Sequence, residues 1–375
     1  PLKDISHVDG FAVRSSDVTY ASRYNPVRLK IVKGVDPRKA DTYVLGRGET
    51  VFVETGYPIP READAVIPIE EVIVRGDYVF VERSIPRYYH VFKKASDFRA
   101  GELVFTPKTR ITPLIQKVLL DLGYSEVIVY RRPRVAVFSI GSELEDKPYD
   151  PLSSHLPAST QYLDKYSLEY YGARVDHVGI LPDDPGEIVD EIKSVLENVD
   201  LVITIGGVSM GPKDHTWISL YNSLRPKIWW RGVRVFPGRS NSGMIVGDKP
   251  VINQPGLHQS SLTTLILILT PLINYMQGLE LKPIYPCIEA RLTSDLFSGR
   301  YIDHYRIHYL VIDGNGHAQP IPSPGSYHLK PMAISMAFTV IEPGIERIRE
   351  ESVVDACFYP PVHGYRNLLE KSLIT

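Results

Sequence analysis

From residue 134 onward the apolar residues change their period, and that change constrains the fold more than any other feature of the chain. A continuous apolar strand at 135–140 is followed by a helical stretch at 160–171, closed by Gly172, and by a second strand at 174–180. Pro185 then opens a helix running to 196, a third apolar strand occupies 201–205, and a glycine-rich turn leads into a helix from about 214 to 224. Strands that are apolar on both faces, each followed by a helix, require a parallel sheet covered on two sides. Such sheets bind ligands at their carboxyl ends. The longest apolar run, 262–273, contains threonines and Pro271 and is shorter than the roughly 20 residues needed to cross a bilayer. It reads as a buried helix, and no membrane association is expected.

The remainder of the chain is organised differently. With 375 residues there is room for several compact units. Short β-rich runs at 27–32, 50–53, 65–68 and 78–82, separated by Gly, Pro and Asp turns, predict a small β-barrel or sandwich. A helix over 113–123 and a strand over 126–130 precede an Arg-Arg-Pro breaker at 131–133, which marks a boundary. After Gly278 the strands return, at 288–292, 305–311 and 337–341, and predict a separate C-terminal β unit.

A net charge of −2 and a pI near 6.7 give no global attraction to nucleic acid or an anionic membrane, so any anion site must be local. The two cysteines, Cys287 and Cys357, lack CxxC spacing, which argues against a disulfide framework or a zinc site and for a reducing, cytoplasmic setting. No charged-then-apolar leader opens the chain, so secretion is not expected. The histidines never flank a glutamate at zinc-protease spacing, and no Walker-type loop occurs.

Three loops combine the residue types that bind anions. The first is TIGGVSMGPKD at 204–214, between a strand and a helix. There Gly206, Gly207 and Gly211 let backbone N–H groups approach an oxyanion, Ser209 can donate, and Asp214 can hold a hydrated divalent cation. The alternative is a plain tight turn with Asp214 as a helix cap. The second, FPGRSNSG at 236–243, offers Arg239 for forked recognition of an oxyanion, or is a Pro-Gly turn with a solvated arginine. The third, QPGLHQSS at 254–261, presents Ser260 near a helix start, where anion binding and N-capping need the same chemistry. Asp9 beside Gly10, and Asp97 in a loop, matter only if the fold brings them together.

Seven stretches in one order, DGFAVR at 9–14, TGYPIPREADAV at 55–66, SDFRAG at 96–101, RPRVAV at 132–137, LPDDP at 181–185, GGVSMG at 206–211 and Pro237-Gly238, resemble the signature of the MoeA and gephyrin E-domain family of molybdopterin molybdenumtransferases. The resemblance spans practically the whole chain, although the family's first helical arm is expected to be absent or truncated ahead of Pro1. It implies a multidomain fold: a discontinuous linking and dimerisation segment (1–25 and 102–131), a β-barrel-like domain (26–101), a MogA/MoaB-like parallel α/β domain (132–278) and a C-terminal β domain (279–375). It further implies a cytoplasmic homodimer with a cleft shared between subunits, and a MogA/MoaB-like adenylyltransferase as a partner.

The implied reaction inserts molybdate, or tungstate, into adenylylated molybdopterin with loss of AMP, and requires Mg2+. On that resemblance Asp9, Asp97 and Asp214 serve the metal and pyrophosphate, Thr55 is a nearby donor, and Ser209, Arg239 and Ser260, with the glycines 206, 207 and 211, hold pterin phosphate or the oxyanion. Four loops depart from the family pattern. Gly-Asp-Glu-Leu is GSEL at 141–144, Asp-Ser-Asn is AST at 158–160, Lys-Pro-Gly-Lys-Pro is FPGRS at 236–240, and Leu-Pro-Gly-Asn-Pro is QPGLH at 254–258. Three readings therefore stand: a divergent transferase, a catalytically impaired paralogue that binds a pterin or serves as a scaffold, and a nucleotide-handling enzyme of another class on the same α/β domain.

Overall fold

The computed structural model describes residues 1–208, 215–281 and 285–359. The chain divides into two compact units, Pro1–Ile111 and Thr112–Thr375.

The first unit is built on a six-stranded sheet in the order Ala65–Pro68, Gly10–Val13, Glu49–Val53, Val27–Ile31, Tyr78–Val81, Ile73–Arg75. Its two edge strands are consecutive in the chain and joined only by the short turn Ile69–Glu71, so the sheet must curl until its edges approach, which makes it barrel-like. Side chains alternate between two apolar clusters, with Phe11, Val13, Ala65 and Ile67 in one and Ala12 and Val66 in the other. A separate ladder pairs Ile5–Ser6 with Val91–Phe92 in antiparallel register.

The second unit opens with helix Pro113–Asp121, started by Pro113 and by Thr112, whose Oγ1 accepts from the Ile115 N–H at 3.3 Å. None of its residues is buried. The strand expected over 126–130 does not form. Val127, Ile128 and Val129 favour extended backbone, but they lie exposed and, among the described residues, no neighbouring strand pairs with them, and a strand without a ladder has nothing to stabilise it. The breaker that follows is clamped instead. Arg131 makes two 2.7 Å hydrogen bonds to the Asp200 carboxylate, which also accepts from the Arg134 N–H.

The α/β part holds a six-stranded sheet in the order Arg174–Leu181, Arg134–Ile140, Leu201–Ile205, Lys249–Gln254, Ser242–Val246, Ile228–Arg231. The first four strands are parallel, and Ser242–Val246 runs antiparallel to both its neighbours. Both faces are covered, as the apolar runs predict. Val135 and Val137 pack under helices Ser159–Tyr170 and 258–276, while Ala136, Phe138 and Ile140 pack under Pro185–Leu196 and His215–Leu224. The run containing Pro271 is a buried helix in three parts, His258–Thr264, a wide π turn at Leu265–Leu269, and Thr270–Met276. Proline has no N–H for the helical ladder and its ring crowds the preceding turn, so the widening lies directly ahead of it. Among the described residues no helix is long and apolar enough to cross a membrane.

The C-terminal strands close a five-stranded barrel in the order Tyr305–Ile312, His317–Ile321, Cys287–Leu292, Val353–Phe358, Ala337–Ile341 and back to Tyr305–Ile312. Strand Val235–Phe236 of the α/β part adds to its outside, with Phe236 opposite Arg306. Contrary to the expectation from spacing, Cys287 and Cys357 form a disulfide. They are direct partners in the antiparallel register of two barrel strands, with Cα atoms 4.0 Å apart, and a 70-residue separation conceals that pairing in the sequence.

Candidate functional site

Strand Arg134–Ile140 is followed by a crossover outward to Arg174–Leu181, and the chain then returns past it to Leu201–Ile205 on its other side. This reversal leaves a crevice at the carboxyl ends of the two central strands, where an open α/β sheet binds its ligand. A cavity of about 460 Å3 lies there, bounded among others by Ile140, Glu143, Tyr149, Gly206, His258 and Tyr327. Gly206 has φ +93°, and a Cβ on it would sit 2.7 Å from the Ile140 carbonyl oxygen. Gly207 has φ +63°, and a Cβ there would clash with Thr216 Oγ1. Both positions therefore need glycine, for conformation and for space. The Gly206 N–H is already used, donating to the Gln254 carbonyl at 2.9 Å. His258 is partly buried, which holds its imidazole below the usual histidine range and hence neutral at pH 7, with its ring 5.4 Å from that of Tyr327. Ser142, in the altered GSEL turn, is engaged with Asp183, donating its N–H at 2.9 Å and accepting the Asp183 N–H at 3.2 Å.

A second cavity of about 460 Å3 opens between the FPGRS loop and the C-terminal barrel. Its charge comes from Arg300 and Arg306. Phe236 stacks on Tyr301 at 3.8 Å, the Arg306 guanidinium lies 5.3 Å from the Phe236 ring, and that of Arg300 lies 5.0 Å from the Tyr301 ring. Arg306 donates to the Ser298 carbonyl at 2.6 Å. Asp295, the one carboxylate of the lining, is ion-paired to Arg347 and accepts the Glu350 N–H. His308 is pushed down to about 4 by burial and by the Arg306 charge, so it is neutral at pH 7. Two guanidiniums with no free carboxylate among them suit an oxyanion. The two cavities share a wall: His258 faces one and Gln259 the other, as do Tyr327 and Ser326. Gln259 secures it by donating to the carbonyls of Gly325 and His328 at 3.0 and 2.7 Å and accepting from the Ser323 hydroxyl.

The residues singled out in the sequence fall in several places. Gly206 lines the sheet-end cavity and Gly207 supports it. Arg239 is exposed and lines neither cavity, although its neighbours Phe236 and Pro237 line the second. Ser260 is buried where its helix meets Gly238, its carbonyl accepting from Thr264 Oγ1 at 2.8 Å; the cap position is Leu257, which has no side-chain acceptor. Ser209, Gly211 and Asp214 lie outside the described residues. In the first unit, Asp9 Oδ1 accepts both the N–H and the hydroxyl of Thr55 at 2.7 Å, and these bonds, the backbone one first, hold its carboxyl below the usual range. Asp97 is exposed. Asp9 and Asp97 lie beyond opposite ends of the Ile5–Ser6 ladder, Asp97 on the side where the Ala95 N–H meets the Pro1 carbonyl. Among the described residues no three His, Cys, Asp or Glu side chains gather as a metal cluster.

Sequence reasoning missed Arg300, Arg306, Tyr149 and Tyr327. The SGRY stretch at 298–301 was the available signal, since an arginine after Ser-Gly resembles many solvated turns until a barrel strand places Arg306 beside it.

Comparison with known proteins accords with this architecture. Residues 1–123 match the MoeA N-terminal region (domain I and II), residues 136–275 the "Probable molybdopterin binding domain", and residues 289–358 the MoeA C-terminal region (domain IV). The molybdopterin molybdenumtransferase of Staphylococcus aureus (strain COL) is 29% identical over 296 residues, covering 79% of this chain and 70% of that protein. A crystal structure of the molybdopterin biosynthesis MoeA protein of Pyrococcus horikoshii superposes with a TM-score of 0.74 at 25% identity, over 95% of this chain and 87% of that one. A second structure, from strain OT3 of the same organism, gives 0.76 at 24% identity, over 95% and 88%, and supports the fold alone. Three consecutive regions in the family's own order, carried on a matching fold, establish that the chain belongs to the MoeA family.

Proposed function

We propose that this chain acts in molybdenum cofactor biosynthesis, inserting molybdate or tungstate into adenylylated molybdopterin with release of AMP. The observation that carries this reading is the shared wall, which sets a ring-lined chamber at the sheet ends, with Glu143 at its border, against a chamber with two arginines. The first suits the pterin or adenine ring, and the second suits a tetrahedral oxyanion. The relatives named as molybdenumtransferases and the MoeA structures support the same assignment.

On this reading Arg300 and Arg306 hold the oxyanion, His258 and Tyr327 border the ring, and Gly206 keeps the chain close to the floor of the crevice. Asp9, Asp97 and Asp214 serve the pyrophosphate side. Ser209, Gly211 and Ser260 remain proposed oxyanion or phosphate ligands, whereas Arg239, exposed and lining neither cavity, gives that role to Arg300 and Arg306 on this reading. The donor set suits Mg2+: Asp9 is ionised, and its Oδ1 is taken by Thr55 while its Oδ2 has no partner among the described residues. Magnesium binds through one or two carboxylates and substrate phosphate oxygens. Bound there, it supplies neutralisation of the pyrophosphate charge. A homodimer is part of the proposal, supported by the exposed apolar stretch 112–130, in which Leu114, Leu120, Val127 and Ile128 all face solvent. A MogA/MoaB-like adenylyltransferase supplies the substrate, and the cytoplasm is the proposed compartment on the family resemblance alone, because the Cys287–Cys357 disulfide removes the cysteine argument for a reducing setting.

One observation favours the impaired-paralogue alternative: Phe236 stands where the family has lysine, and it stacks on Tyr301 in place of a cation. The two readings separate in one assay. Purified protein with Mg2+, molybdate and adenylylated molybdopterin is expected to release AMP in step with metal uptake. Binding of the pterin with no AMP release, at any molybdate or tungstate concentration, overturns the transferase reading.

A further inference from the structure

We infer that Asp164 is kept as a neutral carboxylic acid closed onto the Gln254 carboxamide by two hydrogen bonds, and that this acid–amide pair positions the turn flooring the sheet-end cavity. Asp164 lies in the second turn of helix Ser159–Tyr170, whose first residues Ser159 and Thr160 line that cavity. Gln254 is the last residue of strand Lys249–Gln254, directly before the turn that brings Gly256, Leu257 and His258 into the same lining. Both side chains are wholly buried. The Gln254 Nε2 donates to Asp164 Oδ2.

The remaining oxygens reveal the proton. Asp164 Oδ1 and Gln254 Oε1 are both buried acceptors without a partner, and so is Gln161 Oε1 one helical turn earlier. A buried carboxylate facing further acceptors, with no cation, would be strongly disfavoured. One proton on Oδ1, donated to Gln254 Oε1, closes a planar pair and satisfies both members at once. The surroundings offer no charge to oppose this. None of Lys165 and Glu169 on the same helix, Arg134, Arg174, Asp176 and His177 on the two strands beneath it, or His258 beyond Gln254 is hydrogen-bonded or ion-paired to Asp164, and burial pushes its carboxyl well above the usual range against the opposing Gln254 amide.

The pair matters for the cavity because of what Gln254 does with its backbone. Its carbonyl accepts the Gly206 N–H at 2.9 Å, so one residue ties the floor turn, the glycine loop and the helix bearing Asp164 into a single arrangement.

The test needs no ligand, so its outcome is independent of the proposed reaction. Urea unfolding of the wild type and Asp164→Asn is followed from pH 5 to 9. The folded state carries a proton that the unfolded aspartate loses near its ordinary range, so the folding equilibrium constant of the wild type, relative to Asp164→Asn, is expected to fall by up to tenfold per pH unit as pH rises, levelling off only when the buried acid ionises. Parallel curves for the two proteins overturn the neutral acid. Amide exchange at Gly206, at pH 7, tests the positioning role. Asp164→Asn, which keeps two hydrogen bonds, is expected to match the wild type, and Asp164→Ala to exchange at least tenfold faster at Gly206 than at Val202 or Ile203 of the same strand. If Gly206 stays as protected as its strand in Asp164→Ala, the positioning role is wrong. Should Asp164→Ala fail to fold, the double variant Asp164→Leu with Gln254→Leu takes its place, with the same expectation and the same refuting result at Gly206.

Discussion

Removing the disulfide gives the sharpest numerical test of the fold. The crosslink ties Cys287 on one barrel strand to Cys357 on its neighbour, closing a loop with a sequence separation of 70. Neither cysteine is buried, so serine at both positions costs little packing and the effect acts on the unfolded chain. Chain-entropy arithmetic for a loop of that length gives roughly 15 cal/mol/K, or about 4 kcal/mol at 25 °C. In a domain of this size about 1 kcal/mol moves the melting temperature by roughly 2–4 °C, so the expected loss is roughly 8–16 °C. The comparison is C287S/C357S against the wild type, by calorimetry and urea denaturation, with and without a phosphine reductant. The oxidised wild type is expected to be the more stable by about 4 kcal/mol, with the gap closing under reductant. Equal stability under oxidising conditions, or two titratable thiols in the native oxidised chain, refutes the reasoning.

Gly206→Ala places a side chain at φ +93° against the Ile140 carbonyl, and it is expected to cost about 1–3 kcal/mol in urea denaturation and to abolish ligand binding at the crevice. Arg306→Gln is expected to weaken molybdate binding by about 1.5–3 kcal/mol, measured calorimetrically, whereas Arg239→Gln changes it by less than about 0.5 kcal/mol because Arg239 is exposed and lines neither cavity. Asp9 is held below the usual carboxylate range by Thr55, so its contribution is present above the ordinary aspartate value and lost as pH falls through its lowered folded value. Acid unfolding of the wild type and Asp9→Asn is therefore expected to differ near pH 5 and converge toward pH 2. A constant difference over that range contradicts the Thr55 assignment.

The α/β domain was legible because its strands carry their own signature. Residues that are apolar on both faces at 135–140 and 201–205 admit only a doubly covered sheet, and Pro185 and Gly172 mark helix ends by backbone constraint alone. The same logic failed at 126–130, where β-branched residues meet the local preference but no partner strand is present among the described residues. Non-local pairing also explains the missed crosslink, since only barrel register sets Cys287 opposite Cys357. For the site, glycines were readable because a strand-to-helix turn demands them. Arg306 was not, because its role depends on a strand of one domain adding beside Phe236 of another. Arg239 was favoured for its adjacency to Pro-Gly, yet the turn that follows Pro237 carries it outward.

The partition carrying His258 and Gln259 has a kinetic meaning. Adjacent residues along a single chain open onto different compartments, so the barrier between them is about one polypeptide thick. On the proposed function, an oxyanion in one compartment and a ring in the other would face each other across that partition, a proximity that raises their effective concentration above that of a search through solvent.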